Sequence, residues 1–249
     1  MTTSPAPGPT TTDRTTTDRT PADRATPPRT SPSDRLLHGR RGQEVWRREL
    51  PGAGKVTAHV VDPDGDLDVL HAWVTARHAG FWGLADLDRE ELRATYAFVD
   101  ALPTHEAYLL RWDGEPVALV QLYHPEDDPV AAAYEVREGD LGLHFFKGGD
   151  GPAAAHGVEP WSVVGPAALG FALAAPGTRR LVVEPDARNR AAVARMVAFG
   201  FEPAGTVRFT SPHGPKEAVL AFCGRERGLE IAATHAASTA TAGATERTS

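Results

Sequence analysis

The sequence has little of what marks several large classes of protein. It contains a single cysteine, Cys223, among 249 residues, so an intramolecular disulfide is excluded and a reducing compartment suits the chain. No apolar run approaches the roughly 20 residues that a membrane-spanning helix needs. The first residues also lack the apolar stretch of a secretory signal. We therefore expect a cytoplasmic protein without a membrane partner.

Basic patches and metal-ligand spacings are missing as well. The formal net charge is −7, and the sequence has no stripe of lysine or arginine residues. Both features argue against a nucleic-acid partner. His124, His156 and His213 do not follow the ligand spacings of zinc sites. We expect no nucleic acid and no metal.

Both ends of the chain are poor in large apolar residues. Residues 1–34 are almost entirely Thr, Pro, Ala, Asp and Arg, and the run TTTDR at 10–14 repeats at 15–19. Such segments cannot bury enough apolar surface to offset their conformational entropy. We predict a disordered tail over 1–42, more simply a solvated extension than a docking segment, a single domain over 43–228 and a flexible tail over 229–249.

Hydrophobic periodicity predicts a mixture of strands and helices between these tails. Strands are predicted over 55–61, 106–112, 116–123, 141–146, 181–183, 201–210 and 217–222, and helices over 66–74, 88–101, 164–174 and 189–199. The Asp113-Gly114 turn predicts a hairpin between the second and third strands. The order indicates the mixed α/β (α+β) class, with a mixed central sheet flanked by helices.

The stretch from Arg180 to Phe201 has the clearest pattern. Its apolar, β-branched run predicts a strand buried on both faces, which Pro185 ends because proline lacks a backbone donor. Asp186 and Asn189 are good N-capping residues for the Ala-rich helix that follows. This strand, polar break, helix and second strand resemble the C-terminal half of a GNAT-fold acyl-CoA transferase.

Seven short motifs, taken together, make the resemblance more specific. They are His71-Ala-Trp73, Gly80-Phe81-Trp82, Gly114-Glu-Pro-Val117, Leu122-Tyr123, Gly139-Asp-Leu-Gly-Leu-His144, Val183-Glu-Pro-Asp-Ala-Arg-Asn189 and Lys216. In this order they resemble the siderophore-biosynthesis N-acyltransferases, which include the aerobactin and desferrioxamine N-acylating enzymes and the mycobactin lysine acyltransferase. The resemblance covers residues 56–222 and implies a single-domain GNAT fold.

The resemblance also implies a reaction. An acyl group would pass from acetyl-CoA or another acyl-CoA, such as succinyl-CoA, to an N-hydroxylated lysine, ornithine or cadaverine, and the product would be a hydroxamate. The resemblance further implies that the protein functions together with an N-hydroxylase and a siderophore synthetase. The catalytic residues that it implies are His144 and Asp186.

The chemistry of these two residues fits acyl transfer. An N-alkylhydroxylamine is already neutral near pH 7, so it needs proton removal mainly as the tetrahedral intermediate forms, and histidine suits that role. We expect Asp186 to orient His144 or to stabilise its imidazolium. The alternatives are a hydrogen-bonded histidine within a strand and a plain helix cap.

The motifs also supply candidate binding residues. For the acceptor these are His71, Trp73, Phe81, Trp82, Gln121 and Tyr123, although Phe81 equally fits ordinary loop packing and Gln121 stands where a glutamate is expected. For coenzyme A they are Phe145, Phe146, Lys147, Gly149, Gly157, Arg188 and Asn189, with a solvated helix face as the alternative for Arg188.

One departure concerns the phosphate loop. GNAT enzymes usually carry an Arg/Gln-x-x-Gly-x-Gly/Ala loop whose N–H groups hold the pyrophosphate at a helix N-terminus. Here the region holds Asp150, Pro152 and Pro160, although its glycines still offer a cradle. Two further functions therefore stay open: a GNAT acetyltransferase acting on an aminoglycoside, polyamine or other amine, and a GNAT domain that binds acyl-CoA without turnover.

Overall fold

A twisted sheet of eight strands, in the order β1-β2-β3-β4-β5-β6-β8-β7, organises the chain. The structure, a computed structural model, describes residues 35–212 and 214–233. The strands are β1 Glu44–Glu49, β2 Lys55–Val60, β3 His105–Trp112, β4 Glu115–Tyr123, β5 Asp140–Lys147, β6 Arg180–Val183, β7 Glu202–Ser211 and β8 Gly214–Gly224. The helices are α1 Leu67–Val74, α2 Arg89–Asp100, α3 Ala153–His156, α4 Pro160–Ala172, α5 Arg190–Ala198 and α6, residues 225–233.

The parallel pair in this sheet, β5 and β6, creates an opening. Their register consists of three pairs, from Asp140 opposite Arg180 to Gly142 opposite Val182. β5 nevertheless continues to Lys147, where it still pairs with β4, whereas β6 ends at Val183. The two strands therefore separate beyond Gly142, and the edge of β5 that faces β6 is left open there.

Apolar side chains cover both faces of the sheet. On one face α1 and α2 pack against the strands through a cluster that includes Leu70, Leu92, Tyr96, Leu109 and Leu119. On the other face α4 packs through a cluster that includes Tyr108, Leu110, Val120, Val164, Leu169 and Phe171. Adjacent strand residues alternate between the two clusters, as the period of two requires.

The structure confirms the predicted fold class and the predicted elements. The capping interactions explain two helix boundaries. Asp88 accepts from the Glu91 backbone N–H while the Glu91 side chain accepts from the Asp88 N–H, so α2 starts with a full capping box. α4 starts at Pro160, four residues before the predicted start, because Glu159 caps it and proline fits the first turn. β1 and α6 were not predicted.

The described fold extends beyond the predicted domain limits of 43 and 228. Arg35, Leu36 and Ala232 are all buried. The Arg35 guanidinium forms an ion pair with Glu126, which ties this segment to the loop after β4. The predictions for 1–34 and 234–249 concern residues outside the described part of the chain. Within the described ranges, the helices are all too short or too polar to cross a bilayer.

Candidate active site

His144 and Glu184 meet at the opening between β5 and β6. His144 lies on β5 beyond the last parallel pair, and Glu184 directly follows β6. The Nε2 atom of His144 is 2.6 Å from the Oε1 atom of Glu184. The Glu184 side chain is 2% exposed and that of His144 is 38% exposed. The carboxylate is therefore buried behind an imidazole that still reaches solvent.

Two further side chains complete the surroundings of Glu184. The Tyr123 hydroxyl donates to Oε2 at 2.9 Å, and the Lys216 Nζ lies 3.1 Å from Oε1. Burial opposes ionisation of Glu184, but the adjacent His144 and Lys216 outweigh it and lower the pKa of Glu184 to about 2. An ionised carboxylate only accepts hydrogen bonds, so Nε2 of His144 donates to it and Nδ1 is left as the basic nitrogen.

The residue bound to the His144 imidazole in the structure is Glu184, whereas Asp186, which we expected to orient it, is bound by Arg188. The Nε and Nη2 atoms of Arg188 donate to the two carboxylate oxygens of Asp186 at 2.9 and 2.7 Å, and the Arg188 N–H donates at 2.8 Å. These bonds lower the pKa of Asp186 against the effect of burial. Asp186 is engaged locally, and Glu184 is the residue that binds the imidazole. A charged residue at the end of an apolar strand was the signal in the sequence for Glu184.

Aromatic side chains form one wall beside His144. The Trp82 ring meets the His144 ring edge-on, with centroids 6.4 Å apart, and lies 5.4 Å from the Phe146 ring. Trp73 packs on Phe146 at 6.2 Å. Phe146, which the sequence predicts to bind coenzyme A, is 8% exposed and belongs to this wall. It lies on the His144 side of the sheet because residues 144 and 146 of a strand share a face.

The remaining acceptor candidates lie at varied distances from this wall. Gln121 stands directly opposite His144 in the β4–β5 register. Phe81 is 51% exposed, and the Arg188 guanidinium carbon lies 5.9 Å from its ring centroid. His71 is half-buried on α1. The structure thus brings Trp82, Gln121 and Tyr123 to His144 and leaves Phe81 on the surface.

A second aromatic cluster lies on the opposite face of β5. The Phe145 ring is 5.7 Å from the Trp161 ring, and the Nζ of Lys147 lies 5.8 Å from the same ring. The Arg195 guanidinium stacks on Trp161 at 4.0 Å. Trp161 and Arg195 lie on α4 and α5 and belong to none of the seven motifs, so the sequence does not indicate them as candidates. This cluster joins flat apolar rings to two cations, a combination suited to a nucleotide with phosphates.

Comparison with known proteins decides the family. The profile described as "Acetyltransferase (GNAT) domain" matches residues 62–209, more than half of the chain. The protein belongs to the GNAT acetyltransferase family. This GNAT chain is also similar to the N(6)-hydroxylysine O-acetyltransferase of Escherichia coli, with 27% identity over 184 residues, or 72% of the chain and 56% of the relative. It thus spans about half the length of that curated relative.

Solved structures agree on the GNAT fold. An uncharacterized protein from Bacillus halodurans superposes with a TM-score of 0.67 and 20% identity, covering 80% of this chain and all of the other. The aminoglycoside acetyltransferase AAC(6')-Ib, solved in complex with coenzyme A, gives a TM-score of 0.53 and 22% identity, covering 69% of this chain and 96% of that one. At these identities the likeness shows the fold alone.

Two glycines of the predicted phosphate loop already use their N–H groups within this GNAT domain. The Gly149 N–H donates to the Val117 carbonyl at 3.1 Å, and the Gly157 N–H donates to the Ala154 carbonyl at 3.3 Å. Glu159 places its carboxylate at the N-terminus of α4, where it accepts from the Ser162 N–H at 2.9 Å. These two glycine N–H groups, both predicted to bind the cofactor, are therefore already used within the protein.

Two other predicted cofactor residues also have partners within the chain. The Asn189 side chain caps α5 by accepting from the Ala192 N–H at 3.1 Å. Lys147 forms an ion pair with Asp150, which is 72% exposed. A phosphate group would have to compete with Asp150 for this ammonium. Beside its backbone, this region offers an anion the side-chain cations of Lys147 and Arg195, which both lie at the Trp161 ring.

Among the described residues, a group of possible metal ligands directly follows β4. His124, Glu126 and Asp127 bring one ligand atom each to within 4.8 Å of one another. The Glu126 carboxylate, however, already pairs with Arg35. Because that guanidinium supplies the positive charge, we assign no metal to this group.

Proposed function

We propose that the protein transfers an acyl group from an acyl-CoA to the hydroxylamine nitrogen of an N-hydroxylated lysine, ornithine or cadaverine, as a step of siderophore biosynthesis. The observation that carries the proposal is His144, bound through Nε2 to a buried, ionised Glu184 at the opening of the sheet. The similarity to a relative named for N6-hydroxylysine supports the class of acceptor.

The proposed reaction needs one base. The hydroxylamine nitrogen is neutral near pH 7 and attacks the thioester carbon. Its proton passes to Nδ1 of His144, and the imidazolium is stabilised by Glu184. The C–S bond then breaks, and the departing coenzyme A thiolate takes the proton back from His144. The products are a hydroxamate and free coenzyme A, and His144 is neutral again.

The two aromatic clusters on β5 suggest where the substrates bind. We assign the acceptor to the His144 face, where Trp82 and Trp73 provide a wall for an aliphatic chain. We assign coenzyme A to the open edge of β5 and to the opposite face, where Trp161 lies between Lys147 and Arg195. Asp186 takes a positioning role here, since it holds Arg188 beside Phe81 at the surface.

The direct test measures thiol release and product identity together. Acetyl-CoA and succinyl-CoA are offered with N6-hydroxylysine, N-hydroxycadaverine, lysine, cadaverine and an aminoglycoside. Because a hydroxamate binds iron(III) to give a coloured complex, the colour separates N-acylation from the O-acylation that the relative's name describes. We expect turnover with hydroxylated amines, a positive iron test and loss of turnover in His144→Gln.

The matched control is His59→Gln on β2, whose ring nitrogens bind Gly42 and Thr57. This variant is expected to keep wild-type turnover. Turnover with plain amines or the aminoglycoside alone would contradict the proposal and indicate a general acetyltransferase. Coenzyme A binding without turnover on any acceptor would instead indicate a binding domain.

A further inference from the structure

Lys216 approaches the catalytic pair from a third strand. It lies on β8, and its Nζ is 3.1 Å from the same Glu184 oxygen that accepts from His144. The side chain is 24% exposed, and Nζ lies 5.5 Å from the centroid of the Phe209 ring on β7. The last of the seven sequence motifs is thus joined to His144 through one shared oxygen atom.

We infer that Lys216 is a positioning residue that keeps His144 neutral, and so able to act as a base, while Glu184 remains ionised behind it. The inference rests on the proposed function only in that His144 is the base. It assigns to Lys216 a role in the charge of the pair rather than a contact with substrate.

Glu184, Lys216 and His144 must balance their charges in a buried site. A carboxylate that is 2% exposed requires a positive partner, because burial of an unpaired charge is costly. Among the described residues, the basic side chains within ion-pair distance of Glu184 are His144, which is a cation only when protonated, and Lys216. With Lys216 present the charges of Glu184 and Lys216 cancel, and the imidazole need not be protonated. Without Lys216, neutrality requires a proton on the His144–Glu184 pair.

The other groups around His144 do not supply that charge. Tyr123 stays a neutral donor, since burial, together with the charge of Glu184, raises its pKa well above the ordinary value. Asp186 is paired with Arg188, and that guanidinium donates to Asp186 rather than to Glu184. Gln121 on β4 and Trp82 in the loop after α1 carry no charge. Lys216 is therefore the group whose removal should change the protonation of the pair.

The test is a proton titration of His144 followed by nitrogen NMR in the full chain without substrate. Wild type is compared with Lys216→Met, Lys216→Gln and Lys216→Arg, and His144→Gln assigns the signal. We expect Lys216→Met to raise the pH at which the pair takes up its proton by roughly one to two units. This is the usual effect on a histidine of a nearby carboxylate whose charge is not balanced by another cation. Lys216→Gln keeps a hydrogen-bond donor without charge and should titrate like Lys216→Met. Lys216→Arg keeps the charge and should titrate like wild type.

Kinetics give a second measurement. In Lys216→Met and Lys216→Gln, the acid limb of the kcat/KM profile should move to higher pH by the same amount as the His144 titration. The KM for the acceptor should stay within about twofold of the wild-type value. The control is Arg208→Met on the same hairpin, where Arg208 pairs with the exposed Glu217. A folded Lys216→Met or Lys216→Gln protein with an unchanged His144 titration would overturn the inference. So would a raised acceptor KM with an unmoved pH profile.

The NMR measurement needs no turnover. A wild-type protein that acylates none of the hydroxylated amines would therefore overturn the proposed function while the titration still decides the role of Lys216. If Lys216→Met does not fold, the glutamine variant carries the same comparison.

Discussion

The ring of Tyr123 lies directly across Gly142 on the neighbouring strand. The two residues are paired in the β4–β5 register, and a Cβ atom at position 142 would come within 2.1 Å of the Tyr123 Cζ. The ring crosses this position to bring its hydroxyl to Glu184 at 2.9 Å. The glycine two residues before His144 is thus required by a side chain that binds the Glu184 carboxylate.

Gly142→Ala should therefore damage both stability and the site. A methyl group cannot fit beneath the ring, so Tyr123 must shift and its hydrogen bond to buried Glu184 is lost. We expect the free energy of unfolding to fall by roughly 2–3 kcal/mol, measured by urea denaturation, and turnover to fall with it. Gly224→Ala is the control, since a Cβ there meets nothing within 4 Å. Equal stability of the two variants would contradict the argument.

Glu184→Gln should remove the orientation of His144. The amide presents a donor and an acceptor where the carboxylate only accepts, so the imidazole is no longer fixed with its proton on Nε2. By analogy with the amide substitution in a serine-protease triad, we expect a loss of turnover of about 10²–10⁴-fold. Glu217→Gln, on the adjacent strand and 49% exposed, should retain full turnover. Activity within a few-fold of wild type in Glu184→Gln would contradict the assignment.

The same variant tests the dependence of stability on pH. The pKa of Glu184 is lowered from 4.5 to about 2 in the folded protein, so its stabilising effect is present above 4.5 and is lost as the pH falls towards 2. Urea denaturation across this range should show a loss of stability in wild type that is smaller in Glu184→Gln. Parallel curves would show that Glu184 is not the group responsible.

The sequence is sufficient for most of the elements, although not for β1 and α6, because periodicity and short motifs are local properties. The capping box at Asp88 and the strand that ends before Pro185 both follow from neighbouring residues. The pairing of side chains in the opening of the sheet does not follow from neighbouring residues. Asp186 and Glu184 are both acidic and two residues apart, and only the separation of β5 from β6 decides that Glu184 faces His144.

The cofactor side was harder to predict for the same reason. The glycines near Gly149 predict a phosphate cradle, but the Gly149 N–H donates to the Val117 carbonyl on β4. Trp161 and Arg195 stack on each other from two different helices, a contact that no spacing along the chain indicates.

Two tryptophans on opposite sides of β5 allow a crossed test of substrate placement. Trp82→Ala removes a ring 6.4 Å from His144, and Trp161→Ala removes the ring on which Arg195 stacks. We expect Trp82→Ala to raise the KM for the acceptor about tenfold with little change for acyl-CoA, and Trp161→Ala to do the reverse. Steady-state kinetics with each substrate varied in turn measures both. A raised KM for the same substrate in both variants would contradict the proposed placement.

His124 should make the protein sensitive to mild acid. It is 1% exposed, and neither ring nitrogen has a hydrogen-bond partner among the described residues. Burial and the nearby Arg35 lower its pKa from 6.5 to about 4 in the folded state. Between these values the unfolded chain binds a proton that the folded chain does not, so stability falls as the pH is lowered, by up to about 1.4 kcal/mol per pH unit.

His124→Leu removes that proton-binding group and fills the buried site with an apolar side chain. We therefore expect the difference in unfolding free energy between about pH 7 and about pH 5 to be smaller in His124→Leu than in wild type, as measured by urea denaturation. His59→Leu on β2 is the matched control and should keep the wild-type difference. The same loss of stability on acidification in all three proteins would mean that His124 is protonated in the folded state, and that the ion pair between Arg35 and Glu126 leaves room for its charge.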